Sequence, residues 1–137
     1  GGVLHIAAHG KLVFGGGALA LAAGALPALR IAAQVGAPAL VVLTACSAAA
    51  AQDGDLARSL AAGYLHAGSR YVIAPTRAIP QTTARALAHA LYRAGVTADP
   101  LRALQTAQAE LARAGDAYWP YVVAYGPPRC AAPAGAR

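Results

Sequence analysis

Two residues in this chain have the chemistry of a nucleophile and its proton partner, and each follows a run of apolar residues. Cys46 closes Ala39-Leu40-Val41-Val42-Leu43-Thr44-Ala45-Cys46, and His9 comes near the end of Val3-Leu4-His5-Ile6-Ala7-Ala8-His9-Gly10. A cysteine attacks as its thiolate, so it needs a lowered pKa or a nearby base. His9 could serve, holding the thiolate and later protonating the leaving amine of a peptide bond. The backbone N–H groups of Gly10 and Cys46 would cradle the oxyanion, and Gly10 would allow the close approach this requires. The competing reading is a buried structural cysteine, since free Cys is among the most buried residue types.

Such chemistry needs elements that bring the two residues together. Both apolar runs, bounded by small residues, read as strands buried on two faces, the pattern of a parallel sheet's centre. Open parallel sheets place their sites just outside the carboxyl ends of their strands. Strands ending near His9 and Cys46 would therefore deliver imidazole and thiol to one edge if they are neighbours. The chain between them is ample for a crossover.

The remaining elements follow from punctuation. Glycines mark residues 11–17 as a loop, and residues 18–22 as a short strand. Pro27 opens a short helix to about Val35, ended by Gly36. Residues 47–55 form a loop of small and polar residues, with Asp55 as N-cap of a helix over 56–66 that Gly68 stops. Residues 70–74 form a strand broken by Pro75. Two helices follow, over 80–94 and from Pro100 to just before Gly115, the second capped by Asp99. Tyr118 to Tyr125 reads as a last strand, with Pro120 near its start favouring a sheet edge. Strands alternating with helices give an α/β class with a largely parallel sheet and helices on both faces.

Composition narrows the rest. The chain has 137 residues, 58% of them hydrophobic and 12% charged, which is one globular domain's worth. Two cysteines make no disulfide framework and fit a reducing, cytoplasmic compartment. The net charge of +6 comes from scattered basic residues with no aromatic interleaving, which argues against nucleic acid as a partner. The uncharged stretch between Lys11 and Arg30 is about the length of a membrane span, yet it holds glycines, Pro27 and many alanines, and is read as soluble. His5 and His9 share a face but stand ~13 Å apart at ~3.3 Å per residue, too far to share a metal. His66 and His89 fall on predicted helices. There is no zinc spacing and no phosphate loop, so neither metal nor cofactor is expected.

The same two runs resemble the signature motifs of the CHAT domain, a family of bacterial caspase-like cysteine peptidases related to separases and often joined to tetratricopeptide repeats. The similarity continues through Gly54-Asp55, Tyr64-Leu65, Ala67-Gly68, Tyr71-Val72-Ile73-Ala74, Ala103-Leu104, Ala107-Gln108 and Tyr118-Trp119-Pro120-Tyr121. The resemblance implies a caspase-like three-layer sandwich over residues 1–126, beginning without its first strands as a fragment of a longer protein, with 127–137 as a flexible tail. It implies a protein or peptide substrate, a role in bacterial signalling or defence, and repeat regions of the same polypeptide as partners. His9 would carry the family's catalytic histidine and Cys46 its nucleophile. Asp55 matches an acidic position. It is first the N-cap; reaching the substrate pocket as well, it would favour a basic residue before the scissile bond. The loop Thr76-Arg77-Ala78-Ile79-Pro80-Gln81 would help shape that pocket. That loop departs from the family's usual Leu-Trp followed by Asp.

Two functions therefore stand side by side. One is a cysteine endopeptidase with a Cys46–His9 dyad; the other is an inactive caspase-like scaffold for protein–protein interaction. Cys130, in the predicted tail, is an internal control with an expected pKa of about 8.5. Near pH 6, a thiolate-selective alkylator should label Cys46 faster than Cys130 in the folded protein, and His9→Ala should slow Cys46 alone. The reverse order would mark Cys46 as a buried, neutral thiol.

Overall fold

The computed structural model describes residues 2–13, 16–44 and 60–128, with side chains for all of these except 9–13 and 16. Cys46, Asp55 and Cys130 lie outside the described residues. The fold is built on a four-stranded sheet in the order β1 (Val3–Ile6), β5 (Leu40–Leu43), β6 (Tyr71–Pro75), β7 (Val122–Tyr125). The pairs β1–β5 and β5–β6 are parallel; β7 runs antiparallel to β6 and takes the sheet edge expected for the last strand.

All four residues of β5 are buried, at 0–4% exposure. Because successive side chains alternate between faces, the strand feeds two cores. Val41 and Leu43 pack with Ile31 of α1 (Ala28–Ala32) and with Leu60 and Tyr64 of α2 (Leu60–His66). Leu40 and Val42 pack with Leu87 and Leu91 of α3 (Gln81–Arg93) and with Leu104 and Leu111 of α4 (Pro100–Arg113). The result is a mixed α/β fold with a mostly parallel sheet between helical layers, consistent with a caspase-like architecture.

Local chemistry sets the element ends as expected for α4, where the Asp99 carboxylate accepts from the Arg102 N–H at 3.1 Å and Pro100 takes the first turn. Elsewhere the structure corrects the sequence reading. Strand β1 ends at Ile6, and His9 opens a new strand, β2 (His9–Val13). The glycine-rich stretch read as a loop belongs largely to strands: β2, β3 (Gly16–Leu21) and β4 (Gly24–Pro27) form an antiparallel sheet of their own. Glycines are common in tight hairpins, so their presence marks a chain reversal without excluding pairing beside it. No described helix is long and apolar enough to cross a membrane; most of the uncharged stretch is this small sheet. The last strand is also shorter than expected. Trp119–Tyr121 form a 3-10 turn, and pairing begins only at Val122. Proline has no N–H to give to a ladder.

α1 and α2 meet at unusually close range. A Cβ at Gly63 would stand 2.7 Å from the Ala28 carbonyl oxygen. Backbone cannot swing aside as a side chain can, so Gly63→Ala should force the helices apart. We expect a loss of about 1–3 kcal/mol in urea unfolding, the usual range for overpacking. An unchanged midpoint would show that the contact relaxes freely.

Candidate functional site

Since β1 and β5 are adjacent and parallel, their carboxyl ends lie side by side. The register pairs His5 with Val42 and Ile6 with Leu43, and the ladder runs one step further: the Thr44 N–H donates to the Ile6 carbonyl at 2.9 Å. The chains leaving these two strand ends are the ones that carry His9 and Cys46, two residues beyond Ala7 and Thr44 respectively. The backbone of His9 and Gly10 begins β2, with His9 registered against Ala20 and Gly10 against Leu19 of β3.

A cavity of about 430 Å³ opens at this edge, on the α3 face of the sheet. Its strand side is formed by His5, Ala7, Ala8, Thr44 and Ile79, and its helix side by Gln81, Ala84, Arg85 and Ala88. The helix residues recur at i, i+3, i+4 and i+7, which places them on one face of α3. The sequence reading missed Ala84, Arg85 and Ala88, while Gln81 closes the 76–81 loop it had set at the pocket. Their signal was present in that spacing, but in an alanine-rich chain alanines mark no face.

His5, set aside from the sequence, is part of this site. Its Nε2 stands 3.5 Å from Thr44 Oγ1, while the Thr44 hydroxyl donates to the Ile6 carbonyl at 3.3 Å. The ring also lies 5.7 Å from that of Tyr92, centroid to centroid. Thr44 thus ties the ends of both strands through backbone and side chain together.

Thr76 and Arg77, the residues expected to shape the pocket, follow β6 and turn to Tyr121. The Thr76 N–H and hydroxyl both donate to the Tyr121 carbonyl, at 2.7 and 3.1 Å. The Arg77 guanidinium lies 4.6 Å from the centre of the Tyr121 ring, within cation–π range. From this loop it is Ile79 that reaches the cavity.

Burial lowers the His5 pKa from its ordinary 6.5 by disfavouring the charged ring. The unfolded chain then binds the proton more readily than the folded one. Stability is full above about pH 6.5 and falls as pH drops from there towards the folded-state value. His5→Gln, which keeps a donor near Thr44, should remove that part of the loss. Urea midpoints at pH 7.5 and 5.5 should differ less in the variant than in the parent; equal differences would show that His5 protonates freely.

Comparison with known proteins bears on the whole of this arrangement. The family model of the CHAT domain matches residues 1–126, spanning every element described above. No curated protein matches the chain.

Proposed function

The chain belongs to the CHAT domain family, generally linked to caspase-like peptidases, and on that premise we propose that it is a cysteine endopeptidase using Cys46 and His9. The observation that carries this reading is the parallel pairing of β1 with β5, extended by the bond from Thr44 to Ile6. Two residues beyond Thr44 span at most ~7 Å of chain, so Cys46 is tethered close to the cavity.

In this reading Cys46 Sγ, as thiolate beside the His9 imidazolium, attacks the carbonyl carbon of the scissile peptide bond. The N–H groups of Gly10 and Cys46 stabilise the oxyanion. Collapse of the tetrahedral intermediate breaks the C–N bond as His9 gives its proton to the leaving amine, leaving a thioester. Water, deprotonated by His9, attacks the thioester; Cys46 leaves as thiolate and the acid product departs. No metal or cofactor enters. Asp55, outside the described residues, is assigned in this reading to capping the helix expected over 56–66, with a place at the pocket as its further role.

One observation favours the scaffold alternative. In the loop after β6, Thr76 and Arg77 contact Tyr121 and line no part of the cavity, which the loop reaches only through Ile79 among residues 76–79. An electrophilic peptide probe separates the two readings. The intact protein should be labelled covalently, Cys46→Ala should abolish labelling, and His9→Ala should reduce it at least a hundredfold, the lower end of a general acid–base contribution. Labelling that persists in Cys46→Ala, or is absent from folded parent protein, would leave the scaffold.

A further inference from the structure

Along β1 and β5, His5 is the one polar side chain, and Thr44 is the first polar residue to follow β5. A polar group set among apolar strands is costly unless it finds a partner, and these two find each other. The register pairs His5 with Val42, and alternation returns Thr44 to the face of Val42. His5 Nε2 and Thr44 Oγ1 meet there at 3.5 Å. From α3, the Tyr92 ring lies 5.7 Å away, tilted by 33° to the imidazole. Tyr92 follows Ala88 by four residues, so it extends the helix face that lines the cavity. The imidazole is lodged between that helix and the end of β5, by its ring on one side and its nitrogen on the other.

We infer that His5 is a positioning residue: through Thr44 it fixes the direction in which the chain leaves β5, and so the place from which the Cys46 sulfur attacks. The inference rests on the peptidase reading for the identity of that reacting group. Thr44 donates from its N–H to the Ile6 carbonyl at 2.9 Å and from its hydroxyl to the same oxygen at 3.3 Å. Two bonds to one acceptor leave the residue able to pivot about it. The contact with His5 adds a second point on β1, and two points define a direction where one does not. Two residues beyond Thr44 reach at most ~7 Å, too short a tether to recover from a misdirected start. A misplacement of about 1 Å can cost about a hundredfold in rate, so one modest contact has leverage here. His5 needs no contact with the reacting atoms to act in this way.

The two sides of the imidazole can be removed separately. His5→Phe keeps a ring against Tyr92 and loses the nitrogen. His5→Gln loses the ring and keeps a group near Thr44 that can donate or accept. Labelling of Cys46 in the intact protein by an electrophilic peptide probe would be resolved into a binding constant and a maximal rate. His5→Phe should lower the maximal rate about fivefold, the scale of one hydrogen bond, with the binding constant within about twofold. His5→Gln should recover most of that rate. Thr44→Val should be slowed at least as much as His5→Phe, Thr44→Ser should recover, and the His5→Phe/Thr44→Val double variant should be no slower than Thr44→Val alone. A packing role for the ring predicts the opposite order, Phe retaining the rate and Gln losing it; that order, or additive losses in the double variant, would overturn the inference. Amide exchange at Thr44 requires no chemistry at Cys46 and should quicken about fivefold in folded His5→Phe but not in His5→Gln. An unlabelled parent with that change in exchange removes the peptidase reading and keeps His5 as the holder of the strand end. Unchanged exchange in His5→Phe removes His5 from this role whatever the probe does.

Discussion

The structure depends on β5 being buried on both faces. Leu40 and Val42 belong to the core beneath α3 and α4, Val41 and Leu43 to the core beneath α1 and α2. A slip of one residue would exchange these sets and set each against the wrong helices. Each of the four contributes about 1.5–3 kcal/mol on burial, which makes the register costly to change. Everything at the carboxyl edge inherits that rigidity. Thr44 is the next residue after β5, and its backbone and hydroxyl both reach the Ile6 carbonyl, so the two strand ends are joined where the site begins.

Much of the scaffold was legible because its signals are local and strong. Five aliphatics between Pro38 and Thr44 can hardly be anything but a doubly buried strand, and Asp99-Pro100 announces a helix start through two independent effects. The order of elements identified the α/β class without any knowledge of pairing. What went unread was non-local or ambiguous. Residues 9–13 and 16–21 pair with one another, but glycine-rich sequence signals a turn more loudly than the strands flanking it. Tyr118 to Val122 has the aromatic content of a strand, and only the missing proline N–H delays it into a 3-10 turn.

The site divides in the same way. His9 and Cys46 stand out because their residue types are rare here and follow apolar runs. The cavity beside them comes from α3, whose Ala84 and Ala88 are indistinguishable in sequence from dozens of other alanines. His5 was dismissed on its distance from His9 along one strand, a comparison that ignored its neighbour across the sheet. Thr44, only two residues from Cys46, is that neighbour. Thr76 and Arg77 show the converse: their sequence position suggested the pocket, but Tyr121 offers a carbonyl and an aromatic face that hold both.

The alanine wall has a consequence for how this domain can diversify. Arg85 stands exposed on α3, on the side away from its buried residues Leu87 and Leu91, whereas Ala84 packs against the core that contains both. Along this helix cohesion and cavity lining overlap at Ala84 and part at Arg85. Mutational drift at 85 can recharge the cleft while the hydrophobic layers stay as they are, whereas enlargement at 84 would press on the core. Descendants of such a domain could therefore acquire new preferences in single steps at 85, each tolerated by an unaltered interior.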